Sequence, residues 1–146
     1  NYIDGPAVFD PKRRVIYALI GRRNKDRLVA YDWPAPGQTA GFRGRLVAEW
    51  PQEGKKGWGI AQHRSGLLVL WDGNARILTV DPDSGRSWEM ETGGFQYRSM
   101  SAKQKAGKVY SKWSYIPEVD AFFGITNPKL GIVLYRLDGN TGPPSQ

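Results

Sequence analysis

Apolar positions along this chain come in short runs broken by Gly, Pro, Asn and Asp, and no stretch sustains the 3.6-residue period of an amphipathic helix. Three segments repeat one order: AVFDPKRRVIYALIGRRNKDRLVAYD (7–32), IAQHRSGLLVLWDGNARILTVD (60–81) and YIPEVDAFFGITNPKLGIVLYRL (115–137). Each opens on an apolar pair, passes a tight polar or Pro/Gly turn, runs through β-formers, crosses a second loop and ends on an apolar strand. That order describes two hairpins sharing a middle strand. FRGRLVAEW (42–50) and RSWEMET (86–92) supply a fourth strand to the first two repeats, whereas the third stops at Leu137 and DGNTGPPSQ (138–146) reads as a tail.

The closing residues Tyr31, Val80 and Tyr135 are 49 and 55 positions apart, close to the roughly 40–50 residues of a four-stranded propeller blade. The pattern therefore predicts an all-β chain. Residues 1–137 form a β-propeller segment of about three four-stranded antiparallel blades, near 6–50, 58–92 and 109–137. Three blades do not close a ring. The segment is expected either to be the C-terminal part of a propeller of about six to eight blades or to close its ring with other copies. A single small sandwich or barrel of about eleven strands is the alternative.

Composition supports the β reading, with 18 Gly, 10 Pro and six Trp among 146 residues. No run reaches the roughly 18–20 apolar residues of a membrane helix, and Asn1 opens directly into patterned sequence with no leader. A soluble chain without membrane insertion is expected, any targeting signal lying outside it. The absence of Cys excludes disulfides, thiolate metal sites and a Cys nucleophile, and the lone His63 cannot form a His-rich metal site. No cofactor is expected, because no dinucleotide, P-loop, nucleophile-elbow or metal-ligand spacing occurs. The net charge of +7 suits an acidic partner such as an anionic glycan, nucleic acid or phospholipid.

The stretch KWSYIPEVDAFFGITNPKLGIVLYRL (112–137) resembles the C-terminal blade of kelch-like and galactose-oxidase-like β-propellers of bacterial secreted proteins. The other repeats fit that plan more loosely, and the glycine pair of strict kelch repeats is missing from all three. The resemblance implies a secreted propeller, extracellular or periplasmic, but the copper chemistry of galactose oxidases needs Cys and His ligands that this chain does not supply. DPDSGRSW (81–88) is similar to the Asp-box turn of sialidase-type propellers, with Asp83, Gly85 and Trp88 matching. That likeness implies a structural turn in which Asp83 accepts backbone N–H bonds, Gly85 takes a positive φ and Trp88 packs beneath.

With the strands of a blade lettered a to d, the b–c loops and d–a connections lie at one end and the a–b and c–d turns at the other. On the segments read this way the b–c end carries ten Lys and Arg against Asp26, Glu53 and Asp72, and the a–b end three against six carboxylates. The long connection 93–111 joins Phe95, Tyr97 and Arg98 to three lysines, and long loops on rigid scaffolds are disproportionately functional. Arg22, Arg23, Tyr97 and Arg98 are therefore the candidate ligand-binding residues, since Arg pairs with carboxylate or sulfate and aromatic rings stack on sugars. Trp58 and Trp71 are either groove-lining or packing between blades. His63, at the a–b end, invites a general-base reading but reads more simply as a turn residue. Glu118 and Asp120 sit in a corresponding turn.

Four functions follow. The first is a binding module for an anionic polysaccharide or glycan, completed by further blades on another chain segment or subunit. The second is the C-terminal part of a carbohydrate-active enzyme, a polysaccharide lyase or glycoside hydrolase, with Tyr97 and Arg98 as local candidates and no catalytic residue assigned. A structural or protein-interaction propeller is the third. Nucleic-acid binding, for which no motif appears, is the least supported.

Overall fold

A computed structural model of the chain describes residues 5–22, 25–38, 43–51, 57–73, 76–90, 109, 112–125 and 132–137. Among these, eleven strands build three antiparallel sheets with no α-helix. The first sheet is β1 (Ala7–Asp10), β2 (Val15–Arg22), β3 (Lys25–Asp32) and β4 (Gly44–Pro51), paired in chain order. The second is β5 (Gly59–Gln62), β6 (Leu68–Trp71), β7 (Ile77–Val80) and β8 (Ser87–Met90), again in order. The third has β9 (Trp113–Ile116), β10 (Ala121–Gly124) and β11 (Val133–Tyr135). The edge strand β5 lies against both β1 and β9, so the three sheets start at a shared inner side and meander outward. These are propeller-like blades.

Strand alternation explains how the blades stick. Successive side chains on a strand point to opposite faces, so the middle sheet serves two cores at once. Ile60, Leu68, Leu70, Leu78 and Val80 pack with Tyr17, Leu19, Leu28, Ala30 and Trp50 of the first blade. Their neighbours Ala61, Val69, Trp71 and Ile77 pack with Trp113, Phe122 and Val133 of the third. Every residue of β6 and β7 is consequently buried, which is why LLVLW reads as a continuous apolar run.

The junction of blades 2 and 3 is aromatic. The rings of Trp113 and Phe122 stack 5.3 Å apart, Trp71 lies 5.1 Å from Trp113, and the Trp113 indole N–H donates to the Val69 carbonyl at 3.0 Å. Gly124 makes room for this stack. A β-carbon there would sit 2.4 Å from Trp71 Cζ3 and 2.6 Å from Trp113 Cε3. On the two sheet faces turned away from the middle blade, apolar groups are exposed: Phe9, Trp33 and Leu46 on blade 1, and Leu134 on blade 3. No helix among the described residues is long and apolar enough to cross a membrane.

Candidate functional site

At the b–c end, Asp26 and Asp72 turn inward. Asp26, on β3, is only 4% exposed, and its Oδ2 accepts from the Trp58 indole Nε1 of the next blade at 2.9 Å. Asp72, 7% exposed, closes its own loop: its Oδ1 accepts from the Arg76 amide at 3.1 Å while its amide donates to the Arg76 carbonyl at 3.2 Å. The Arg76 guanidinium lies 5.8 Å from the centre of the Trp58 ring and pairs with Glu89. Lys25 and Arg27 both pair with Glu49, whose carboxyl those two cations, Lys25 foremost, hold below the usual range.

The structure distributes the sequence-derived binding residues unevenly. Trp58 and Trp71 are buried, the first between blades 1 and 2 and the second between blades 2 and 3. Arg22 is the last residue of β2, opposite Lys25 in the ladder; its side chain, together with Arg23, Tyr97 and Arg98, lies outside the described residues. Among the described residues, no group of three His, Cys, Asp or Glu is placed to hold a metal ion.

At the opposite end, the a–b turns of the three blades are linked to one another. Asp10 closes the first turn by accepting from the amides of Lys12 and Arg13 on Oδ1, and its Oδ2 takes Arg13 Nη1 at 2.8 Å and Gln62 Nε2 of blade 2 at 2.7 Å. Burial works against ionisation of Asp10, but these four hydrogen bonds outweigh it and hold the carboxyl below its ordinary value. The rest of the Arg13 fork reaches across to Asp83 in the c–d turn of blade 2, with Nε at 3.0 Å and Nη2 at 2.5 Å.

A second junction joins blades 2 and 3. His63 Nε2 lies 2.9 Å from Asp120 Oδ1, and His63 Nδ1 lies 2.7 Å from Ser65 Oγ. The Tyr115 hydroxyl donates to Asp120 Oδ1 at 2.6 Å and Arg64 Nη2 to Asp120 Oδ2 at 2.5 Å. Asp120 reaches this point because Pro117 starts a one-turn 3-10 helix, Pro117–Val119, that leaves Asp120 in the left-handed region at φ 50°. Hydrogen bonds from Tyr115 and then His63 hold the Asp120 carboxyl below its usual range, whereas burial foremost pushes the Tyr115 phenol up. Between these junctions lies a cavity of about 560 Å³, lined by residues that include Lys12, Arg13, His63, Arg64, Ser65 and Tyr115.

Two expectations need correction. The turn 81–86 is capped by Asp81, whose Oδ1 accepts from the Asp83 amide and whose Oδ2 accepts from the Ser84 hydroxyl. Asp83 itself points out to Arg13, although Gly85 does take a positive φ of 72°. The acidic excess at the a–b end also shrinks, because the observed turns include Arg14 and Arg86 and the end is close to neutral.

Ser65 and the meeting of His63 with Asp120 were not singled out from sequence. The two side chains are 57 positions apart and belong to different blades; the only signal was that both occupy the same turn of the repeat. No family model matches the chain, and neither a curated protein nor a solved structure matches it.

Proposed function

We propose that this chain is the ligand-binding part of a secreted β-propeller of the kelch-like or galactose-oxidase-like kind, and that its b–c end takes up an acidic polysaccharide. The supporting observation is the withdrawal of Asp26 and Asp72 from that end, each nine-tenths or more buried in bonds that hold its own loop or blade junction. Two of the three carboxylates that offset the ten basic residues there are thus used inside the scaffold. Rigid blades beneath that end supply preorganisation, and arginines supply paired hydrogen bonds to uronate or sulfate. Further blades, on another segment or subunit, cover the exposed Phe9, Trp33, Leu46 and Leu134.

The test is retention on immobilised heparin or polyuronate at low and high salt, with Arg22→Ala and Arg98→Ala. Salt-sensitive retention that falls in both variants supports the reading, since exposed charge contacts are screened. Retention unchanged in both variants sinks it.

A further inference from the structure

The hydrogen-bonded chain Ser65–His63–Asp120 has no part in glycan binding at the other end, and the direction of each bond can be fixed. Asp120 accepts from Tyr115 and Arg64 as a carboxylate, so the His63 Nε2 facing it is a donor. On the far side of the ring, the Ser65 amide lies 3.2 Å from Nδ1, and an amide N–H can only donate. His63 Nδ1 therefore presents its lone pair, and the Ser65 hydroxyl donates to it across 2.7 Å. A hydroxyl aimed at a base, and a base oriented by a carboxylate, is the arrangement that activates a serine.

The surroundings fit a reacting group. Ser65 is exposed and lines the 560 Å³ cavity. The Arg13 guanidinium lies over the following residue, 3.1 Å from where a β-carbon on Gly66 would stand, and Asp10 and Asp83 fix it there. Lys12 and Arg64 line the same cavity, where the carboxylate of Asp10 is buried. These cations are matched by carboxylates, Arg13 by Asp10 and Asp83 and Arg64 by Asp120, so the space beside the hydroxyl is close to neutral.

We propose that Ser65 is the nucleophile of an ester-hydrolysing site, with His63 as its base and Asp120 as the residue that positions His63, acting on carboxylic esters. Ser65 Oγ bonds to the ester carbonyl carbon as its proton passes to His63 Nδ1, and the carbonyl electron pair moves onto oxygen beside Arg13. Collapse breaks the ester C–O bond, and the departing alkoxide takes the proton from Nδ1. Water then attacks the acyl-serine with the same base, releasing the carboxylic acid and restoring the Ser65 hydroxyl. The site is independent of any ligand at the b–c end.

A fluorophosphonate probe reports the nucleophile directly, read by peptide mapping, with p-nitrophenyl acetate hydrolysis alongside. The expected result is an adduct on Ser65 and an ester hydrolysis rate that both fall by about 100-fold or more in Ser65→Ala, a variant that keeps its far-ultraviolet circular dichroism because the side chain is exposed. Asp120→Asn is expected to slow labelling and to change its pH profile, which a merely structural carboxylate would not do. Failure of the folded wild-type chain to form the Ser65 adduct overturns the proposal, as does equal labelling of wild type and His63→Gln.

Discussion

In AFFG, the run that forms β10, two phenylalanines are adjacent, and the structure sends them to opposite faces. Phe122 is fully buried at the junction of blades 2 and 3, with its ring centre 5.3 Å from Trp113, 5.0 Å from Tyr115 and 6.4 Å from Tyr135. Phe123 points to the other side and is half-buried. Truncating a buried Phe to Ala costs about 3–5 kcal/mol from lost transfer energy and the cavity left behind. The stacked pair with Trp113 places Phe122 at the upper part of that range. Phe123→Ala forfeits only part of a ring's burial, about 1 kcal/mol. In urea, with a slope of about 1–3 kcal/mol per molar for a chain of this size, Phe122→Ala lowers the unfolding midpoint by about 2 M and Phe123→Ala by about 0.5 M. Tryptophan fluorescence reads both transitions. A midpoint for Phe123→Ala as low as that for Phe122→Ala would refute the assignment of faces, and Phe122→Leu, at intermediate cost, separates cavity formation from misfolding.

Gly124→Ala forces a methyl group into the indoles of Trp71 and Trp113 and is expected to cost about 1–3 kcal/mol; a neutral result in urea melts would mean the stack is looser than described. Asp83→Ala removes a pair whose carboxylate is largely exposed and costs less than about 1 kcal/mol, whereas Asp10→Ala removes a buried carboxylate and its four part-buried hydrogen bonds and costs about 1–3 kcal/mol. Because the Asp10 carboxyl is held below its ordinary value, its contribution is complete above about pH 4 and is lost as pH falls through the folded value. Asp10→Asn should therefore show a flatter loss of stability between pH 5 and 2 than wild type, checked by urea midpoints across that range; an unchanged acid limb contradicts the bonding described for Asp10.

The blade plan was legible because backbone chemistry is local. Turn residues, two-residue alternation and the spacing of Tyr31, Val80 and Tyr135 placed the strands, and the continuous run LLVLW marked a sheet covered on both faces. Which way a side chain turns at a blade junction depends on the neighbouring blade, and there sequence fell short. Asp26 and Asp72 counted as surface charge until Trp58 and the loop backbone drew them inward. Asp81 and Asp83 differ by two positions, yet only the proximity of Arg13 sends the second one outward. His63 read as a turn residue, and it is one, but the Pro117 turn brings Asp120 against its ring and Ser65 closes the other side. The stretch YIPEVDAFFGI thus supplies both a hairpin and one member of a side-chain network.

The claim that an acidic polysaccharide binds at the b–c end is tested most directly by equal charge reversal at the two ends. Arg98→Glu with Lys105→Glu alters the connection 93–111, which the repeat assigns to the b–c end, and Lys12→Glu with Arg86→Glu alters the a–b end by the same net charge. Polyuronate affinity, measured by calorimetry at physiological salt, should fall at least about tenfold in the first variant, a difference of about 1.4 kcal/mol. It should stay within about threefold of wild type in the second, because exposed charges more than about 8 Å from a ligand are largely screened at physiological salt. Equal losses in both, or a larger loss in the second, would contradict the account.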